Sequence, residues 1–376
     1  MKNATDKGKR IIQICLWIVI TYLIVKSINT YILRIESIYG VPVEQFAILS
    51  YAISYILFLL IYVVGTYLFG KTIGYQVLYV RFFHLKFRMQ TGKLKIRKVK
   101  VNQIACQCNM APPGNDPLNY PFVLYTMGGI FSNILFSLIL LVISNLIVDN
   151  LVSFFFKIVS IYILIRSLFD AIPKKRNGIG NAGLFTYQML KGKDVRQAFW
   201  INRNWIRFDY RGINLGDAPS EWFELPSDAD YSSYDHFYLG YLRFFYLHYK
   251  KQYDEAKNLI NFMIDHAPNA PEQMKKELLC ELLFYEIIGL CNADDAIRIY
   301  TPDLQQYINE NLHEVSKIRI KYAFEKLIMK NETEASRLLI EFEKLANDYE
   351  YPAELSYNRE LLRLIDEKAA LTDHII

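Results

Sequence analysis

Two stretches of this chain carry no charged side chain at all, residues 46–70 and residues 117–148. Each exceeds the ~20 residues that an α-helix needs to cross the hydrocarbon core of a bilayer. No other feature limits the fold as strongly. Backbone placed in lipid must satisfy its own hydrogen bonds, which leaves helices or a closed barrel. A further span is expected over 11–33, interrupted only by Lys26, and another over 151–169, interrupted by Lys157 and Arg166. The chain therefore reads as a four-span protein, with helices near 11–33, 46–70, 121–148 and 151–169. No small-residue cleavage site follows the apolar run at 11–33, so it is expected to be a retained helix rather than a cleaved signal.

Basic residues set the expected orientation. The start MKNATDKGKR is basic, the segment from Arg81 to Lys100 holds eight Lys or Arg and no acid, and PKKRNG follows the last span. The positive-inside rule then places both termini and the segment 71–120 in the cytoplasm of a multi-pass cell-membrane protein. The net charge of +5 is concentrated beside the membrane. Lipid headgroups are the expected partner of that charge, and no nucleic-acid module is evident. Of the five cysteines, Cys15 falls in a span and Cys106, Cys108, Cys280 and Cys291 on the cytoplasmic side, where thiols stay reduced. Cys106 and Cys108 have no second pair at metal-ligand spacing.

Between the second and third spans the sequence alternates. Leu85, Phe87 and Met89 oppose Lys86 and Arg88, while Leu94 and Ile96 oppose Lys93, Lys95 and Arg97, with Thr91-Gly92 as the turn. This predicts a β-hairpin within 76–101 that has one apolar and one basic face. The basic face is expected at the headgroups; an edge free to pair with an extended client is the alternative.

After residue 184 the texture becomes that of charged amphipathic helices. Ala256, Ala296 and Ala335 stand at matching places in segments spaced by 40 and 39 residues. That spacing suggests helix pairs resembling tetratricopeptide arrays, whose usual period is ~34 residues, over a cytoplasmic domain at 236–376. Such an array would offer a surface to a cytoplasmic protein partner. A plain helical bundle is the alternative. Residues 184–235, rich in aromatic residues, Asp, Pro and Gly, read as a docked linker between this domain and a membrane domain at 1–183.

Within the membrane domain, YVVGTYLFGKTIGY, QCNMAPP, YPFVLYTMGGIFSN and DAIPKKRNGIGNAG occur in that order. Together they resemble the core of the site-2 protease family of intramembrane zinc metalloproteases, and the helical tail is similar to that of a bacterial branch of the family. The resemblance implies a metal helix with H-E-x-x-H, a G-x-x-x-N helix, and a later segment carrying an Asp ligand. Carried over, the first His falls on Tyr62, the Glu on Val63, the second His on Thr66 and the Asp on Ala182, so that Tyr62-Val63-Val64-Gly65-Thr66 stands in place of the zinc motif. Hydroxyls are poor zinc ligands at neutral pH, and no general base remains. Catalytic residues, metal and cofactor are accordingly expected to be absent, although active relatives hold zinc.

Gly129 and Asn133 fill the G-x-x-x-N positions. With Tyr62 and Thr66 they are candidates for contact with a client's backbone; helix packing is the other reading. Arg166 and Asp170 are four residues apart and predict an ion pair that shields both from lipid. His313-Glu314 begins like the zinc motif, but Lys317 stands where its second His belongs. The expected function is that of a pseudoprotease binding a membrane or small secreted peptide, in a chaperone, immunity or signalling role. An active protease with an atypical site, or a scaffold using its helical repeats, are the alternatives.

Overall fold

The computed structural model describes residues 43–90, 93–99, 105–176, 179–226, 229–268, 270–289 and 293–373. The span expected at 11–33, Cys15, Cys291 and the Thr91-Gly92 turn lie outside them. The chain divides into two compact units. The first comprises residues up to 73 with 79–108 and 122–187, and the second comprises 74–78, 109–121 and 188 onward.

The first unit is built on three long helices, α1 (Val43–Thr72), α2 (Val123–Leu146) and α3 (Asn150–Ala171). Three segments, Ile48–Thr72, Val123–Leu146 and Leu151–Ala171, are long and apolar enough to cross a membrane. Their outer faces are consistent with that length and apolarity. Leu49, Ile56, Leu60, Val64 and Leu68 of α1 are exposed, as are Leu135, Leu138, Ile139, Val142 and Leu146 of α2. Apolar surface of this extent is unstable in water and ordinary in lipid.

Because lipid is as apolar as leucine, such helices adhere through close approach and internal hydrogen bonds. A serine ladder provides both. Ser137 and Ser144 on α2, and Ser153, Ser160 and Ser167 on α3, recur every seventh residue and are all buried. Ser160 Oγ donates to the Ser137 carbonyl at 2.7 Å and Ser153 Oγ to the Ser144 carbonyl at 2.6 Å. A seven-residue repeat keeps one stripe on a partner helix over several turns. The connection is short because Asp149 caps α3, its carboxylate accepting from the Val152 amide at 2.9 Å.

Four strands follow α1: β1 (Gln76–Phe82), β2 (Leu85–Gln90), β3 (Lys93–Lys98) and β4 (Cys106–Ala111), in the order β3-β2-β1-β4. The hairpin is β2–β3, with Phe87 opposite Ile96 and Met89 opposite Leu94. It forms part of a sheet, because β1 pairs with β2 through Val80 and Phe87. The exposure of its faces corrects the sequence reading. Lys86 and Arg88 are buried, whereas Met89, Leu94 and Ile96 are 63%, 59% and 54% exposed. Lys86 lies 4.2 Å from the Tyr79 ring centroid, so part of its charge is met by an aromatic face rather than by solvent.

The second unit is helical. It contains α5 (Lys193–Tyr210), α6 (Tyr234–Tyr249), α7 (Tyr253–His266), α8 (Glu272–Ile288), α9 (Ala293–Ile299), α10 (Pro302–Glu310), α11 (Val315–Ala323), α12 (Glu332–Ala346) and α13 (Pro352–Asp373). A shorter helix, α4 (Ala182–Lys191), precedes them and spans the division of the chain. Ala256, Ala296 and Ala335 are fully buried at the starts of α7, α9 and α12, where a methyl group lets helices approach closely. The last helix returns to the first: Asp209 of α5 accepts from the Ala353 and Glu354 amides at 3.0 and 3.1 Å, capping α13.

Residues 188–226 differ from the docked linker expected. Trp200, Leu215 and Phe223 are buried, Trp200 packs edge-on against Trp222 at 4.5 Å, and Phe223 stacks on Tyr246 at 4.4 Å. Gln197 donates to the Trp222 and Glu224 carbonyls, fixing the irregular chain onto α5. The segment is core because its aromatic residues pack on α5 and α6.

Candidate functional site

The site predicted from the sequence lies where α1 crosses α2. Gly65, Gly128 and Gly129 make that crossing tight. A Cβ on Gly65 would meet Ser132 Oγ at 2.2 Å and the Gly128 carbonyl oxygen at 2.8 Å, and one on Gly128 would meet Phe69 Cβ at 2.7 Å. A Cβ on Gly129 would lie 2.6 Å from the ring of Tyr62. The Tyr62 ring therefore fills the notch that Gly129 leaves. Asn133, one turn further along α2 and wholly buried, donates through Nδ2 to the Phe58 carbonyl at 3.3 Å. Its Oδ1 is buried without a hydrogen-bond partner among the described residues.

Thr66 uses its hydroxyl locally, donating to the Tyr62 carbonyl at 2.9 Å. Val63 packs against the cluster of Phe58, Leu59, Cys106, Val159 and Ile163. Ala182 opens α4, and its carbonyl accepts from Thr186 Oγ1 at 2.8 Å. The same Thr186 hydroxyl meets Thr126 Oγ1 at 2.8 Å, which fastens α4 to α2 one turn before Gly129. Tyr62, Thr66, Gly129 and Asn133 are thus brought to one crossing, and Ala182 is tied to α2 beside it through Thr186.

Arg166 Nη2 lies 3.4 Å from Asp170 Oδ1 along one face of α3. The guanidinium also stands 5.7 Å from the Phe58 ring centroid. The electrostatic neighbours of Tyr62 are Cys106, Asp170 and Tyr125. Cys106 Sγ donates to the Leu59 carbonyl at 3.8 Å, and Tyr125 donates to the Cys108 carbonyl at 2.9 Å. Burial pushes the Cys106 and Cys108 thiols up to about 12, which keeps them protonated and makes them weak ligands for a soft metal.

Tyr62, Thr66 and Ala182 offer a phenol, a hydroxyl already bonded to its own helix, and a methyl group. Among the described residues no group of three His, Cys, Asp or Glu side chains is placed to hold a metal.

Sequence reasoning missed Asn181. Its Nδ2 donates to the Phe169 and Ile172 carbonyls at 3.1 and 2.7 Å, and its Oδ1 accepts from the Lys174 and Leu184 amides at 3.1 and 2.9 Å. All four bonds of the amide are made, so this residue fixes the turn between α3 and α4 that presents Ala182. Its place immediately before a helix was the available signal.

It also missed a buried polar network in the helical unit. Arg319, only 1% exposed at its side chain, grips Glu281 through Nη2 at 2.6 and 2.7 Å, and its Nε donates to Asn358 at 2.8 Å. Its guanidinium rests 4.0 Å from the Phe284 ring centroid. Burial would raise Glu281, but Arg319 foremost among its charged neighbours holds it below the usual range. His248 bonds to Tyr285 and lies 3.8 Å from Glu281, yet burial lowers it to about 4, so it is neutral near pH 7. Lys317, at the position that breaks the zinc-like motif, is buried between Glu277 at 2.6 Å and Glu314 at 3.2 Å.

Neither protein-family models, nor curated proteins, nor solved structures give a match to this chain.

Proposed function

We propose that this chain is a membrane-bound, non-hydrolytic peptide-binding protein with a site-2-protease-like core. The observation that carries the reading is the crossing of α1 and α2. Gly129 and Asn133 stand at the family's G-x-x-x-N positions, while Tyr62, Val63, Thr66 and Ala182 stand at the positions of the ligands and base. A crossing kept this close, with Val63 where the family's base would stand, suits holding a chain rather than cutting it. Asn133 Oδ1, buried and unpartnered, would accept from a client's backbone amide once Tyr62 turns aside.

In this reading the chain has four spans, both termini are cytoplasmic, and the client is a membrane or small secreted peptide. The helical unit is read as a tetratricopeptide-like array. The near-regular starts of α7, α9 and α12 and their buried alanines support this, and α13 closes the array onto α5.

The test is client capture in cells by crosslinking. Tyr62→Ala and Asn133→Leu are expected to abolish the captured adduct at unchanged protein level. Silent substitutions, combined with loss of all function on deleting 236–376, would make the membrane unit an anchor and sink the proposal.

A further inference from the structure

Within the helical unit a cavity of about 250 Å³ opens among α5, α6, α8, α11 and α13. Part of its wall is aromatic. Phe245 stands 5.0 Å from Trp205 and 4.9 Å from Tyr241 between ring centroids, and Tyr249 stands 6.1 Å from Trp205. The remainder is dominated by charge, with Glu277, Glu281, Glu314 and Glu354 beside Arg319.

The charges do not balance. Glu281 is committed to Arg319, and Glu277 and Glu314 share Lys317. Glu354 is left without an ion pair among the described residues. Arg319 Nη1, on a fully buried side chain that lines the cavity, has no hydrogen-bond partner among the described residues. The cavity thus holds one carboxyl lacking a cation and one donor lacking an acceptor, next to ring faces that attract positive charge.

We infer that this cavity receives a lysine or arginine residue, its cationic head against Glu354 and the aromatic wall and its main-chain carbonyl accepting from Arg319 Nη1. A carboxylate ligand is disfavoured, because it would approach Arg319 through four glutamates. Water satisfies Nη1 and a proton neutralises Glu354, whereas an entering cation replaces that proton and covers the aromatic wall as well. The volume suits one side chain and its backbone, being below the ~300–1,000 Å³ of a drug-sized pocket. This inference is independent of the client proposed for the membrane unit.

Binding is coupled to a proton. Burial first, then Asp209 of α5 and Glu314, push Glu354 up to about 8, against the hydrogen bond from Tyr349 and the charge of Lys317. Tyr249 of α6 faces it as well. Near pH 7 Glu354 is therefore mostly protonated, and a cation entering beside it expels that proton. Affinity must rise with pH up to about 8 and level off above.

The experiment uses the full chain in lipid nanodiscs and reads tryptophan fluorescence and calorimetry. The probes are N-acetyl-L-arginine methylamide, free L-arginine and N-acetyl-L-norleucine methylamide. The arginine amide is expected to bind saturably, at least about tenfold more tightly than the norleucine amide, as a desolvated cation–aromatic contact implies. Its affinity is expected to increase severalfold from pH 7 to 8.5. Glu354→Gln should weaken binding and flatten the pH profile, while Trp205→Leu should weaken binding but keep the profile; near-ultraviolet dichroism checks the fold of both. Preference for the amide over free arginine identifies a peptide as the source, and the reverse a free amino acid. Tyr62→Ala should bind the probe normally, which separates failure here from failure of the membrane-unit proposal. No saturable binding at millimolar probe, equal binding of the norleucine amide, or an unchanged Glu354→Gln profile would each overturn the inference.

Discussion

Adding one methyl group at the crossing of α1 and α2 distinguishes a rigid contact from a yielding one. In Gly65→Ala the new carbon would lie 2.2 Å from Ser132 Oγ, 2.4 Å from Ser132 Cβ and 2.8 Å from the Gly128 carbonyl oxygen. Two of those atoms cannot move away by side-chain rotation, so the helices must separate. In Gly129→Ala the three atoms nearest the new carbon all belong to the Tyr62 ring, at 2.6–2.8 Å, and a ring can turn. Overpacking costs about 1–3 kcal/mol, and Ala regains ~0.5–1 kcal/mol over Gly in a helix. We therefore expect Gly65→Ala, at the upper end of that range, to destabilise by about 2 kcal/mol and Gly129→Ala by about 0–1 kcal/mol. Tyr62→Val should rescue Gly129→Ala, with a coupling of about 1 kcal/mol or more in a double-mutant cycle, and should leave the cost of Gly65→Ala unchanged. Unfolding of the full chain in bicelles, followed by steric trapping, measures all of these. Equal costs at the two glycines, or no coupling between Tyr62 and Gly129, would show that the ring does not sit in the glycine notch.

Three further outcomes are expected. Reporter fusions after residues 40 and 190 should report opposite sides of the membrane; matching sides would break the proposed four-span topology. The purified protein should hold no stoichiometric zinc, since Tyr62, Thr66 and Ala182 supply no nitrogen or carboxylate; about one zinc per chain, retained against a weak chelator, would revive the protease alternative. Stability of the helical unit should fall as pH rises from about 6.5 to 8. Glu354, raised from 4.5 to about 8, binds a proton in the folded state that the unfolded state has released; His248, lowered from 6.5 to about 4, acts in the opposite sense only while the unfolded imidazole is still partly protonated, in the lower part of the window. The net linkage amounts to about 1 kcal/mol over that window. Glu354→Gln should abolish the decline; a decline that survives it would place the proton elsewhere.

The sequence was informative wherever one physical constraint dominated. Lipid permits helices or closed barrels and the runs are too long for barrel strands, so charge-free runs located α1 and α2 to within about three residues, and α3 similarly despite Lys157 and Arg166. Strict alternation gave the β2–β3 register, because side chains change face at every residue. The covered face was not legible. Lys86 and Arg88 are buried through contacts that include Tyr79 of β1, a strand outside the alternating pattern. The identity of 188–226 was lost for a related reason: aromatic residues amid Pro, Gly and Asp look like loop until the groove that Trp200 and Phe223 fill is known. At the crossing, Gly129 and Asn133 were found from their spacing, whereas Gly65 and Ser132 matter only through each other. The Arg319–Glu281 pair joins helices 38 residues apart and leaves no local periodicity. Lys317, noticed only as a broken motif, turned out to be a buried cation held by two glutamates.

The most direct test of the account is to place a photo-crosslinking amino acid at position 62 in living cells and weigh what it captures. The account predicts a peptide adduct whose mass corresponds to an uncleaved client, lost when Asn133→Leu is added. A cleaved fragment in the adduct, or no adduct in cells whose phenotype depends on the protein, would contradict it.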